Sequence, residues 1–186
     1  MSQKKKQAYT EDKIKTLSSL EHIRLRTGMY IGRTGSGAHY DDGIYILVKE
    51  VIDNGIDEFI MGHGERINVS IEEDMVTIRD FGRGIPLGKV VDCVSKINTG
   101  AKYNDDVFQF SVGLNGVGTK AVNALSTYFL VRSHREGEFV EAEFEGGNLV
   151  REEKGETDEP NGTLVSFSPD PAIFKKFAFN PEHLAR

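Results

Sequence analysis

Four acids and one amide crowd the nine residues Glu50-Val-Ile-Asp-Asn-Gly-Ile-Asp-Glu58, with no base among them. Acids at that density either line a solvated helix face or serve a cation or proton that arrives from outside. Placed ~100° apart on a helix, Glu50, Asn54 and Asp57 fall within roughly 60° of one another. Beside them Leu47, Val48, Val51, Ile52, Gly55 and Phe59 share a broad apolar face, so the polar groups would run along the edge of a core. On this helix alone the solvated face is the commoner explanation. Asn54 and Gly55 sit badly with it, since Asn is a weak helix former and Gly costs ~1 kcal/mol against Ala. Something other than helix stability would have to place them there.

Two glycine loops offer the complementary chemistry. In "DFGRG", Asp80 to Gly84, a single acid precedes two glycines directly after a strand; most such pairs are turns. "GLNGVGTK", Gly113 to Lys120, runs into a helix and would present backbone N–H groups to an anion. A phosphate-binding P-loop would need Lys followed by Ser or Thr, and here Thr119 precedes Lys120. "GVGTKA" fits a dinucleotide fingerprint in form, but that motif requires a parallel strand-helix-strand unit and the runs downstream read as hairpins.

The elements that would carry these groups follow from periodicity. "SLEHIRLR" from Ser19 reads as a short helix ending at Thr27-Gly28, and a helix over about Gly43 to Met61 follows a Gly-rich loop whose Asp41 or Asp42 can cap it. "RINVSI" and "VTIRD" around "EEDM" predict a hairpin. "KVVDCVSKI" and "TKAVNALS" look helical, and between them residues 98 to 118 keep no period. Loops of that length are functional or disordered. Four strand-like runs close the chain: "TYFLVRSH", "EFVEAEFE", "NLVREEKG" and "GTLVSFSP". Asn180 and Pro181 then read as the cap and first residue of a helix barely begun, which points to a fragment of a longer protein. The fold class expected is α+β: a two-layer sandwich of a mixed, mostly antiparallel sheet with helices on one face.

Bulk properties narrow the setting. The 186 residues carry a net charge of -6, so the molecule as a whole is not a nucleic-acid-binding surface. Residues 1–10 read as a flexible basic tail and 11–186 as one domain. The lone Cys93 leaves no internal disulfide or cysteine-based zinc cluster, and the five histidines show no metal-ligand spacing. No apolar run is long enough to span a bilayer and no signal region is present, so a cytoplasmic setting without membrane partners is expected.

Taken in order, "EVIDNGIDE", "DFGRG" and "GLNGVG" resemble the three boxes of the Bergerat-type ATPase fold, shared by gyrase-like topoisomerases, heat-shock chaperones, histidine kinases and MutL. Each box alone is weak, whereas the ordered set is specific. "RTGMYIG", "GRGIP" and "NGTLVSF" narrow the resemblance, which covers nearly the whole chain from Tyr9, to the B subunits of type IIA DNA topoisomerases. "RLRTGMYIG" and "DDGIYILVKEVIDN" incline it toward the topoisomerase IV branch over gyrase. Asn115 stands where such families often have His, and "TGAK" where they have "AGGK".

What the resemblance implies is specific by residue. Glu50 would be the general base on a water aligned with the γ-phosphate of ATP, its basicity raised by the phosphates beside it. Asn54 would give Mg²⁺ one neutral oxygen, the phosphates supplying others. Asp57 and Glu58 would be structural, with Arg83 pairing to Glu58 and lying over the adenine. Asp80 would accept a hydrogen bond from the adenine amino group and so reject guanine. Gly84 would let a water and the base approach, and Thr163 would hold that water. Lys102, Gly113, Leu114, Asn115, Gly116, Val117 and Gly118 would wrap the phosphates. Val51, Ile85, Pro86 and Val94 would wall the base.

The family also dimerises through an N-terminal arm, here the region of Tyr9 and Ile14. The transducer domain that follows is expected to be absent, so a piece of this kind would bind ATP as a monomer and turn it over slowly. An A-type subunit (ParC or GyrA) and, through the holoenzyme, DNA would be partners, and ATP-competitive inhibitors would be expected to bind. Three readings compete with strand passage. A chaperone-type clamp is disfavoured by "RTGMYIG". A histidine kinase lacks room before His22 for its phosphoacceptor helices. An oxidoreductase rests on "GVGTKA" alone.

Overall fold

The computed structural model describes residues 17–97, 99 and 116–184. Ser18 opens the first helix with a reciprocal capping box: its hydroxyl accepts from the Glu21 N–H while the Glu21 carboxylate accepts from the Ser18 N–H at 2.8 Å. This helix, α1 (Ser19–Leu25), breaks at Arg26, and the chain turns at once into α2 (Thr27–Ile31). The sequence predicts that the helix ends at Thr27-Gly28; a second helical turn forms there instead and buries Ile31.

The long helix α3 (Gly43–Ile60) matches its expected span. Asp42 occupies its N-cap position without capping it. The carboxylate turns back instead, accepting from the N–H groups of Gly37 at 2.8 Å and His39 at 3.2 Å, and pairs with Arg33 at 2.7 Å. The amides, together with Arg33, hold its carboxyl below the usual range although burial pushes the other way. Asp42 therefore fixes the glycine-rich loop rather than the helix.

The hairpin β1 (Ile67–Glu72) and β2 (Met75–Asp80) follows, then a 3-10 turn at Leu87–Lys89, α4 (Val90–Ser95) and α5 (Gly118–Ala124). Strands β3 (Ser126–Arg135), β4 (Glu138–Glu145), β5 (Asn148–Glu156) and β6 (Gly162–Pro169) complete the sheet before two single-turn helices, α6 (Pro171–Phe174) and α7 (Pro181–Leu184). The Asn180 side chain caps α7 by accepting from the Glu182 N–H at 3.0 Å, as expected; the α6 turn, capped by Asp170, has no counterpart in the sequence reading. Two-residue turns at Glu136-Gly137 and Gly146-Gly147 have both residues at positive φ, the handedness that matches strand twist.

The strand order is β1-β2-β6-β3-β4-β5, and every pairing among the described strands is antiparallel. The expected mixed sheet is thus corrected. Hairpin-length connections join β1 to β2 and β3 through β5, and β6 returns between β2 and β3, so no parallel crossover arises. One face of the sheet, through Val76, Ile78, Phe129, Val131, Phe144 and Phe167, packs on the helices. Ile44, Leu47, Val48 and Val51 of α3, with Val122 of α5, meet it there. Burying each such side chain contributes about 1.5–3 kcal/mol. The other face is ionic: Arg151 bridges Glu141 at 2.6 Å, Glu143 at 2.9 Å and Glu153 at 2.7 Å. A charged ladder of this kind suits a face left to solvent, giving the two layers expected.

Candidate active site

Helix α3 lies with Val51 and Gly55 buried and Glu50 and Asn54 half-exposed at its border, the stripe that the spacing predicts. Two members differ from expectation: Asp57 is fully buried, and Phe59 is 61% exposed. Nor are the acids left uncompensated: Lys49, just outside the stretch, pairs with Asp53, and Arg83 grips Glu58. The Glu58–Arg83 grip is bidentate, with Nε donating at 3.0 Å and Nη2 at 2.9 Å, and the Arg83 N–H adds a third bond at 2.9 Å. Burial raises the Glu58 carboxyl, but Arg83 outweighs it and holds the group below its usual value. This is the pairing expected of Glu58 and Arg83, and it ties α3 to the loop after β2.

Gly55 explains its own presence. A Cβ there would lie 2.8 Å from the Ile67 Cδ1 and 3.1 Å from the Asp80 Cβ, so the glycine lets α3 settle directly onto the end of β2. Asp80 thereby touches α3 five residues beyond Glu50, ~7.5 Å of helix rise. The Asp80 carboxylate accepts from the Gly82 N–H at 2.9 Å and the Thr163 N–H at 3.2 Å. Burial pushes its carboxyl above the ordinary aspartate value, against those two amides and the Arg79 charge. Thr163 thus stands beside Asp80, brought there by the β2–β6 pairing that places Arg79 opposite Leu164.

The third box joins at the head of α5. A Cβ on Gly118 would fall 1.9 Å from the Glu50 Oε2, so this glycine is what admits the Glu50 carboxylate. The Asn54 amide donates to the Glu50 carbonyl and to the Thr119 hydroxyl, both at 2.9 Å. Thr119 and Lys120, whose order excludes a P-loop, therefore have other duties. Thr119 orients Asn54, and the Lys120 side chain is buried and donates to the Thr99 carbonyl at 2.8 Å and to that of Gly116. Gly116, Val117 and Gly118 lie at this junction; Tyr9, Ile14, Lys102, Gly113, Leu114 and Asn115 lie outside the described residues.

The remaining expected residues divide. Gly84 has φ +76°, and a Cβ on it would meet the His134 carbonyl oxygen at 2.6 Å, so it lets the loop press against β3. Gly84→Ala is expected to lose about 2 kcal/mol or more of stability from the left-handed backbone and the clash; an unchanged thermal midpoint would contradict this. Ile85 is half-buried and its carbonyl accepts from the Ser133 hydroxyl at 2.7 Å, whereas Pro86 is exposed. Val51 and Val94 are buried in the core cluster. Residues missed from the sequence are Thr119, Ser133 and Arg79, polar groups that no local pattern sets apart in elements of mixed composition.

Known proteins are similar to this chain in sequence and in fold. Residues 39–173 match the model of the histidine kinase-, DNA gyrase B- and HSP90-like ATPases. The chain is 62% identical over 182 residues to the B subunit of DNA topoisomerase 4 from Borreliella burgdorferi, covering 98% of this chain and 30% of that protein. It is 41% identical over 189 residues to the B subunit of DNA gyrase from Thermotoga maritima, covering 95% and 28%. The 43K ATPase domain of Thermus thermophilus gyrase B, solved with an aminocoumarin, superposes with a TM-score of 0.73 at 32% identity over 91% of this chain and 44% of that one. The chain thus spans less than a third of the named topoisomerase subunits.

Proposed function

From a chain that belongs to the histidine kinase-, DNA gyrase B- and HSP90-like ATPase family, we infer the nucleotide-binding and hydrolysing module of a type IIA DNA topoisomerase, carried on its B-type chain. One observation carries the reading: α3, the loop after β2 and the head of α5 meet through Gly55 against Asp80 and Asn54 against Thr119. The three boxes, far apart in the chain, thereby become one site.

In this reading ATP lies along α3, its adenine at Asp80 and Thr163 and its phosphates toward Glu50 and the amides of Gly116 to Gly118. Asp80 accepts from the adenine amino group; guanine would set an oxygen against that carboxylate in a desolvated pocket. Glu50 takes a proton from the attacking water. Mg²⁺ neutralises phosphate charge when bound. With both amide hydrogens of Asn54 committed to Glu50 and Thr119, the oxygen is what this side chain offers a cation. Among the described residues no three His, Cys, Asp or Glu side chains are grouped to hold a metal, so the other ligands would come with the nucleotide. Arg83, held by Glu58, borders the base, while Lys102 and residues 113 to 115 complete the phosphate contacts.

The module would serve a protein that closes as a homodimer through the N-terminal arm, works with an A-type subunit on DNA in the cytoplasm, and accepts ATP-competitive inhibitors. No described helix is long and apolar enough to cross a membrane. Isolated, the piece binds ATP as a monomer and hydrolyses it slowly. The named relatives favour this over a chaperone-type clamp. Calorimetric titration with ATP and with NAD, each with and without Mg²⁺, tests it. Mg²⁺-dependent binding of ATP and none of NAD is expected; the opposite preference would overturn the assignment.

A further inference from the structure

Arg79 lies next to the end of β2 and points away from the helices, because Asp80 points toward them. On the ionic face of the sheet an arginine would ordinarily reach for solvent, yet Arg79 is only 8% exposed. Its guanidinium is spent on two backbone carbonyls: Nη1 donates to Asp80 and Nη2 to Pro160, each at 2.6 Å. The Phe81 ring packs on it with the centroid 4.8 Å from Cζ, and Arg66 lies 4.3 Å from the same centroid. Gly162 leaves the room that this arrangement needs, since a Cβ there would fall 2.5 Å from the Arg79 Nη1 and 2.3 Å from the Asp80 carbonyl oxygen.

These contacts close a loop through the base-reading end of the site. One rigid fork bridges the Asp80 carbonyl to the Pro160 carbonyl. Strand β6 then begins at Gly162, and its second residue, Thr163, donates its N–H back to the Asp80 carboxylate. We propose that Arg79 is a positioning residue that locks the Asp80 carboxylate and Thr163 into one arrangement facing the purine, so that recognition of the exocyclic amino group depends on it. The inference rests on the reading of Asp80 given above. The Phe81 position in "DFGRG" then has a purpose: its ring lies against the fork as a cation–π partner. The Arg79 charge also opposes the effect of burial on the Asp80 carboxyl, alongside the Gly82 and Thr163 amides.

A simple structural role predicts equal loss for every nucleotide, whereas a positioning role predicts loss confined to nucleotides bearing the amino group. Calorimetric titration of the wild type, Arg79→Met and Arg79→Lys with ATP and with purine riboside triphosphate, which lacks that group, separates the two. The wild type should prefer ATP, and in Arg79→Met that preference should shrink about tenfold, the equivalent of one hydrogen bond to a charged group. Affinity for the analogue should stay within about threefold, since its contacts do not involve Asp80. Arg79→Lys, keeping the charge and a single donor group, should fall between. Should Arg79→Met not fold, the Lys variant decides: a reduced preference supports the inference and an unchanged one overturns it. Equal losses for both nucleotides overturn it as well. A wild type that binds the two nucleotides alike would instead remove Asp80 from base reading, and this inference with it.

Discussion

Glu50→Ala should abolish ATP turnover, lowering the rate by at least about 10²-fold, the usual contribution of a positioned base. Binding should survive, because in the proposed reading the adenine contacts lie ~7.5 Å of helix rise away at Asp80 and the phosphates meet backbone amides. Removing a carboxylate that lies against Gly118 also relieves its repulsion with the phosphates, so ATP affinity should hold or tighten. Glu50→Gln refines the test, since it keeps the shape and the hydrogen-bonding capacity but not the basicity. The measurement is phosphate release with protein in excess, paired with titration of a hydrolysis-resistant analogue. A Gln variant that hydrolyses at the wild-type rate would remove Glu50 from the mechanism.

Asp80→Asn should weaken ATP binding by about 10- to 100-fold, the loss of a hydrogen bond to a charged acceptor. It should do so without harming the fold. The Asn carbonyl can still accept from the Gly82 and Thr163 N–H groups, so the turn and the β2–β6 junction keep their ties. The pH dependence follows from the raised carboxyl. A group whose folded pKa exceeds its unfolded one contributes stability that is complete below the ordinary aspartate pKa and is lost as pH rises through the folded value. Once ionised, Asp80 is therefore a liability to the nucleotide-free fold. The Asn variant should melt as high as the wild type or higher there, with the difference vanishing toward pH 4. An unaltered ATP dissociation constant would refute the adenine contact; a lower melting point at neutral pH would show that the fold needs the charge.

The α3 stripe was legible from spacing because helix geometry is local: residues 50, 54 and 55 are neighbours whatever surrounds them. The hairpin at Glu73-Asp74 and the meander turns were legible for the same reason, each being a matter of two residues and their flanks. Expectation failed where other contacts outweighed the local pattern. Asp42 had the sequence of a cap, but the amides of Gly37 and His39 and the Arg33 guanidinium claimed its oxygens. Thr27-Gly28 looked like the end of a helix, and a further helical turn that buries Ile31 forms there instead. Phe59 had the right angle for the core, yet its side chain is exposed.

By itself the sequence determined that the chain would carry an acid-and-amide helix, two glycine boxes in a fixed order and an antiparallel meander, and the order of boxes was enough to point to the family. It could not say that Thr119 would turn the Asn54 amide, that Gly118 would admit the Glu50 carboxylate, or that Arg79 would bridge Asp80 to Pro160. Those contacts span 65, 68 and 81 positions of chain, and which of them form depends on the order in which the strands assemble. Periodicity and turn chemistry act over a few residues. Bringing Glu50, Asn54 and Asp80 within reach of one another is a property of the sheet, with β6 returning between β2 and β3, and of the helices that its apolar face holds in place.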